Sequence, residues 1–178
     1  MAYREQPLEM HHIEIAVATL PAPTVVGSGV AAGIIAGIVM AVWAMTTSAI
    51  TGAGFWIVPQ LIAGMFYGPL TLVRGATTVV IGTLIHVVVS AGFGALFALM
   101  VGWRAGADGR MLAWGLAYGL AIWLVMSFGV LPLVNPTMSA RVALTPVNWF
   151  FEHLLFGVVL AFFFEQMRAT RLRRPAFP

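Results

Sequence analysis

The chain has 178 residues, of which 61% are apolar and only 8% are charged, and its mean hydropathy is +0.97. Soluble domains carry roughly a quarter charged residues, so this composition excludes a water-soluble protein and predicts an integral membrane protein. The chain contains no cysteine, which excludes disulfides, thiolate zinc sites and iron–sulfur clusters. Its net charge of +3 comes from nine arginines against six acids. These arginines form no broad basic face, so nucleic acid is not an expected partner.

Four stretches are apolar enough to cross a bilayer as helices, which takes about 20 residues each. They run approximately over residues 25–49, 77–101, 111–133 and 147–164. The predicted fold is all-α: one four-helix transmembrane domain over residues 25–167, an N-terminal tail at 1–24 and a basic C-terminal tail at 168–178. Because the first span follows a polar tail and is long, we interpret it as a retained helix and not as a signal peptide.

The connection between the first two spans is too short to cross a membrane and too apolar for a free loop. Its apolar residues, 55–62 and 65–69, are flanked by glycines and interrupted by Pro59. We expect a short interfacial helix in this outer loop, with Trp56 and Tyr67 at the depth of the lipid headgroups. A re-entrant hairpin is the alternative, and it would need protein or water to satisfy its backbone.

The arginines predict the orientation of the chain. If both termini are cytoplasmic, seven arginines lie inside and only Arg74 and Arg141 lie outside, as the positive-inside rule favours. Four arginines near the C-terminus are also candidates for binding anionic lipid headgroups, although the simpler interpretation is that they serve only as a topology signal. These four are Arg168, Arg171, Arg173 and Arg174.

The second and fourth spans are related by a shift of 67 residues, which places Arg74 on Arg141 and His86 on His153. The first and third spans need a shift of 82 residues, which places Gly33 on Gly115 and leaves the interfacial segment as the extra part of the first half. The sequence therefore predicts two helical hairpins in the same orientation, related by a pseudo-twofold axis along the membrane normal.

Small residues recur on these spans at intervals of four, which lets neighbouring helices approach closely within a membrane. We predict that they pack helices together, either within the chain or against a partner. They are Gly29, Gly33, Gly37, Gly115, Gly119, Gly157 and Ala161.

Ionisable residues inside a span are costly and are therefore candidates for function. Here they are His86, Glu152 and His153, with Glu165 near the inner end. Three hypotheses remain open: structural histidines satisfied by hydrogen bonds, ligation of a haem or chlorin by His86 and His153, or a proton or ion path through all three outer residues. Adjacent residues point about 100° apart on a helix, so Glu152 and His153 are not expected to face one helix interface.

The third-span run from Gly115 through Met126-Ser127-Phe128 to Leu131-Pro132, the His86-x-x-x-Ser90 step, and Phe151-Glu152-His153-Leu154 together resemble the YagU-like family of small bacterial inner-membrane proteins. The resemblance covers most of the chain from Val25 onward. It implies a four-span protein of the bacterial inner membrane without an assigned catalytic mechanism. The N-terminal tail and the first outer loop depart from the family pattern.

No signature of a soluble enzyme is present: we find no nucleophile elbow, phosphate loop, dinucleotide fingerprint or zinc-protease helix. No metal site is predicted, and the paired His11 and His12 in the tail are expected to be solvated or bound to a partner. The leading hypothesis is therefore a non-enzymatic accessory or scaffold subunit of a larger inner-membrane assembly, such as a respiratory complex. Its partners would be lipid and other subunits. The alternatives are a small proton-coupled transporter or channel, and a haem- or chlorin-binding subunit.

Overall fold

The computed structural model describes residues 22–102 and 110–172, and every element in these two ranges is helical. Four helices are long and apolar enough to cross a membrane. The predicted all-α, four-span fold is confirmed, and the chain is an integral membrane protein. In chain order the elements are α1 (Ala22–Ile50), α2 (Ile57–Tyr67), a 3₁₀ segment (Gly68–Val73), α3 (Ala76–Val101), α4 (Met111–Val125), a π segment (Met126–Val130), α5 (Leu131–Val134), α6 (Pro136–Val142) and α7 (Pro146–Leu172).

Prolines determine where the third span changes its helical form. Pro132 has no N–H, and its ring would clash with the carbonyl of Phe128 in a regular α-helix. The chain has a π segment directly before α5, which widens the turn at this point. Asn135 precedes Pro136 and leaves the helical region (φ −143°, ψ 72°), as residues before proline tend to do. The third span is therefore built from α4, the π segment and α5, and not from one uniform helix.

Each long hairpin is held by glycines that bring two backbones into contact. In the first hairpin, a Cβ atom on Gly94 of α3 would lie 2.7 Å from Gly33 Cα and would overlap the Gly29 carbonyl. In the second, a Cβ atom on Gly157 of α7 would lie 3.0 Å from Gly119 Cα and would overlap the Gly115 carbonyl. Only glycine permits such an approach, so these residues lie where the helices of each hairpin pack most closely.

The two hairpins have closely similar glycine contacts. The residues that are equivalent in these contacts differ by one helical turn from those that the sequence alignment pairs. Gly29 faces Gly94 and Ala98 in the same way as Gly115 faces Gly157 and Ala161. These pairs are related by shifts of 86 and 63 residues, whereas the sequence predicted 82 and 67. The glycines at which the two backbones touch determine where the two helices of each hairpin cross. The hairpins therefore superpose at these glycines and not at the histidines that match in the sequence. His153 therefore occupies the place of Ser90, and the predicted equivalence of His86 and His153 is wrong by one turn.

The four spans pack in the order α3, α1, α7, α4. Helix α1 lies along both α3 and α7, and α7 also lies along α4. Helices α3 and α4 instead meet through side chains: the Tyr118 hydroxyl donates to the Phe93 carbonyl at 2.8 Å, and the rings of Phe97 and Tyr118 lie 5.2 Å apart. The wall between α3 and α4 is consequently the looser one, and space remains beside it.

Helix α2 begins where the sequence predicted an interruption. Pro59 lies in its first turn, where a missing N–H costs no helical hydrogen bond. The helix packs against α3, and a Cβ atom on Gly82 would overlap the Pro59 carbonyl. Trp56 stays exposed, whereas Leu61 and Ala63 are buried. The segment is thus a helix, as predicted, but one side of it is built into the bundle. We call the end of the bundle that carries α2 and α6 the α2 end.

The final helix is longer than predicted. Helix α7 continues to Leu172, so Arg168 lies in its last turns and not in a separate tail. Residues 1–21, including His11 and His12, lie outside the described ranges, as do Arg173, Arg174 and the side chain of Arg171. The predicted binding of lipid headgroups by these arginines stays a prediction.

Replacing Gly94 with valine tests the backbone contact. The new side chain has no room against α1, so G94V should lower the free energy of unfolding by about 1–3 kcal/mol. The matched control is G92V on the same helix, because a Cβ atom there meets nothing within 4 Å. Thermal unfolding in detergent measures both variants. Equal stability of G94V and G92V would contradict the packing described here.

Candidate functional site

A cavity of about 350 Å³ lies between the hairpins, towards the α2 end. Helices α1 to α7 and the π segment all contribute to its wall, which is almost entirely apolar. The three ionisable residues predicted from the sequence, His86, Glu152 and His153, all line it. Glu152 and His153 point in different directions, but the cavity is wide enough that both side chains line it. The structure therefore brings the predicted residues together, although not at a single helix interface.

His86 lies in the middle of α3, about 15 Å from the start of that helix at 1.5 Å per residue. Its Nε2 lies 2.9 Å from the carbonyl oxygen of Gly37 on α1. A carbonyl can only accept, so Nε2 carries the proton in this contact and Nδ1 is the acceptor of the neutral ring. A Cβ atom on Gly37 would overlap the Ser90 side chain but would lie 3.5 Å from His86 Nε2, so Gly37 is needed for the close approach of α1 and α3 at Ser90 and not to make room for the ring.

His153 lies about 10 Å from the start of α7 and is buried. Its Nδ1 donates to the carbonyl of Trp149 at 2.8 Å, and the two rings meet edge to face at 4.2 Å. Its Nε2 has no partner in the described ranges and remains an acceptor of the neutral ring. Each histidine thus has one nitrogen fixed by a backbone carbonyl and one nitrogen available.

Asn148 holds Glu152 in place from one turn away on α7. The indole N–H of Trp43 donates to Asn148 Oδ1 at 3.1 Å, which fixes the orientation of the amide because an indole N–H cannot accept. The amide nitrogen then donates to the Glu152 carboxyl and, at 3.3 Å, to Thr47 Oγ1. Glu152 is buried and is therefore positioned by a polar network that spans α1 and α7.

A second cavity of about 280 Å³ lies beyond Glu152 at the α2 end. Its wall is much more polar than that of the central cavity. Polar side chains contributed by α1 and the turn after it, by α6 and α7, and by the turn between α6 and α7, are Thr47, Ser48, Thr51, Arg141, Thr145 and Asn148. Four side chains of the described ranges line both cavities: Val58, Met138, Trp149 and Glu152. Glu152 is the only ionisable one of the four, so it forms the polar junction between the two spaces.

Two asparagines at the site were missed from the sequence. Asn148 precedes Glu152 by four residues, a spacing that places side chains together on a helix. Asn135 stands before Pro136, a pattern typical of a helix N-cap. Its Oδ1 accepts from the Met138 amide at 3.1 Å, and its Nδ2 donates to the Leu61 carbonyl at 2.8 Å. Asn135 thereby ties α2 to the start of α6.

The two arginines predicted to be equivalent have different surroundings. The guanidinium of Arg74 lies 4.7 Å from the ring centroid of Tyr67, in a cation–π contact. Arg141 lies in the last turn of α6 and lines the polar cavity. Only Arg141 is therefore placed near the ionisable residues.

The described ranges contain no group of three or more histidine, aspartate or glutamate side chains able to hold a metal ion. His153 does have the arrangement common among metal-bound histidines, in which one ring nitrogen donates to a backbone carbonyl and the other is available. Haem or chlorin ligation by His86 and His153 stays a prediction. An absorption spectrum of the purified protein, with a Soret band expected for haem, is the measurement that checks it.

Substituting Asn135 tests its role in holding α2. N135A removes the cap of α6 and leaves the Leu61 carbonyl without this donor, so the free energy of unfolding should fall by about 1–2 kcal/mol. S139A on α6 is the control, because it truncates a polar side chain of the same helix and leaves the Asn135 cap in place. A loss of stability in S139A as large as that in N135A would contradict a specific role for Asn135.

In comparisons with known proteins, the chain matches no family model, no curated sequence and no solved structure.

Proposed function

We propose that the chain is a small non-enzymatic membrane transporter or channel in which Glu152 passes protons between the polar cavity and the central cavity. The observation that carries this proposal is the position of Glu152, which is the one ionisable side chain shared by both cavities. Carboxyl and imidazole groups at such depth are costly and are typical of proton relays.

The polar cavity is suited to water. Hydroxyl groups of Thr47, Ser48 and Thr51 line it together with Arg141, and a polar space of this size has room for several water molecules. A proton can therefore reach the Glu152 carboxyl from the α2 end. On the other side, the available nitrogens of His153 and His86 are acceptors for a proton that leaves Glu152.

The orientation of the path follows from the arginines. Arg110 and Arg168 lie at the end opposite α2, whereas Arg74 and Arg141 lie at the α2 end. We propose a bacterial inner membrane as the location, both termini in the cytoplasm and the α2 end outside, in agreement with the positive-inside rule and with the resemblance to the YagU-like family. The polar cavity would then open to the outer side.

The accessory-subunit hypothesis stays a prediction, with less support than the sequence suggested. The small residues on the spans were predicted to pack helices either within the chain or against a partner. Gly29, Gly33, Gly115 and Gly119 are in fact occupied by contacts within the chain. Native mass spectrometry after mild extraction from the source membrane checks it, since a free monomer alone would contradict it.

Proton flux in liposomes tests the proposed function. With a pH-sensitive dye inside and a potassium diffusion potential imposed, the wild-type protein should move protons, and E152Q should reduce the rate by about tenfold or more, because the amide has no exchangeable carboxyl proton. H153F should also lower the rate.

E165Q is the matched control, because it removes a carboxyl from the same helix outside both cavities. Its flux should equal that of the wild type. Flux that is unchanged in E152Q, or is lost equally in E165Q, would overturn the proposal.

A further inference from the structure

The central cavity reaches the surface of the bundle on its apolar side. Met65 of α2, Val89 of α3 and Val134 of α5 line the cavity and are also 37%, 42% and 45% exposed. All three belong to apolar helices, so the gap that they border faces lipid. We call this gap the lateral opening. It lies beside the loose wall between α3 and the third span. The contacts of Tyr118 with α3, including its ring contact with Phe97, lie further from the α2 end.

The interior of this cavity offers hydrogen-bond acceptors to a ligand. His153 is only 3% exposed, and its Nε2 has no partner in residues 22–102 and 110–172. Nδ1 of His86 is likewise available as an acceptor, since Nε2 of that ring donates its hydrogen bond to the Gly37 carbonyl. Neither nitrogen has a hydrogen-bond donor within residues 22–102 and 110–172, so each can accept from a molecule that enters the cavity.

The remainder of the wall favours an apolar body. A dry apolar cavity of about 150 Å³ is enough to bind benzene, and this one measures about 350 Å³. Methionine side chains are flexible and polarizable, and they adapt to ligands of varied shape. Five of them line the cavity: Met40, Met45, Met65, Met126 and Met138.

We propose that the central cavity binds a lipophilic molecule that carries one hydroxyl donor, such as an alkylphenol, and that this molecule enters from the bilayer through the lateral opening. The hydroxyl donates to the available nitrogen of His153 or His86, and the apolar body packs against the methionines. This inference rests on the proposed function for the use of the cavity, because the ligand would be the solute whose passage is linked to the proton at Glu152. The binding itself requires no proton movement.

A matched pair of probes tests the hydroxyl. The purified full chain in lipid nanodiscs is titrated with 4-hexylphenol and with hexylbenzene, which differs only in lacking the hydroxyl, and binding is measured by native mass spectrometry. One buried hydrogen bond should give 4-hexylphenol about a threefold to tenfold higher affinity. H153F or H86F should reduce this ratio to about one while hexylbenzene still binds. Equal affinities in the wild type, or a ratio unchanged in both variants, would overturn the hydroxyl contact.

Tryptophan substitutions test the lateral opening and remain informative if a histidine variant fails to fold. V89W narrows the opening and should slow the association of 4-hexylphenol about tenfold or more, since the ligand is proposed to enter from the bilayer at this point. V88W is the control, because Val88 is 69% exposed and does not line the cavity. Unchanged association in V89W would exclude entry at this point.

Proton flux measured on the same preparations separates the two proposals. Flux that depends on Glu152 without binding of either probe would leave the proposed function standing and remove this inference. Binding of 4-hexylphenol with no proton flux would leave the ligand site standing and remove the proposed function.

Discussion

The backbone contact between glycines is the constraint on which the rest of this structure depends. Lipid tails are as apolar as leucine, so burial alone gives helices in a membrane little reason to associate. Here Gly94 touches the α1 backbone and Gly157 touches the α4 backbone. Each contact fixes one hairpin, and α1 and α7 then join the hairpins along their length. Because the fourth side, between α3 and α4, has no such contact, a cavity is left there.

That cavity acquires its polar residues from the same packing. His86 reaches the Gly37 carbonyl of α1, and the crossing at Gly157 places His153 and Glu152 on the cavity side of α7. Asn148 then fixes the Glu152 carboxyl at the border with the polar cavity. One ionisable residue thus separates a space lined by hydroxyl groups from a space lined by methionines. This separation supports a path for protons on one side and a lipophilic ligand on the other.

Much of this could be predicted from the sequence. Hydropathy located the four spans, the spacing of Gly29, Gly33 and Gly115 identified the packing faces, and ionisable residues inside spans identified His86, Glu152 and His153. The register of the two hairpins could not be predicted, because it depends on which backbone atoms touch and not on which residues match. The roles of Asn135 and Asn148 depend on partners far along the chain, Leu61 and Trp43. The start of α2 could not be predicted either, because Pro59 is compatible both with an interruption of a helix and with the first turn of one.

The junction at Glu152 is the central claim, and the absence of cysteine from the chain allows it to be tested directly. Single cysteines are introduced at positions 152 and 156 of the protein in nanodiscs and treated with a positively charged methanethiosulfonate. Position 152 borders the polar cavity, whereas Phe156 lines only the central one. We expect the reagent to modify E152C and to leave F156C unmodified, with S48C in the polar cavity as the positive control. Modification of E152C and F156C at equal rates, or modification of S48C alone, would contradict the account.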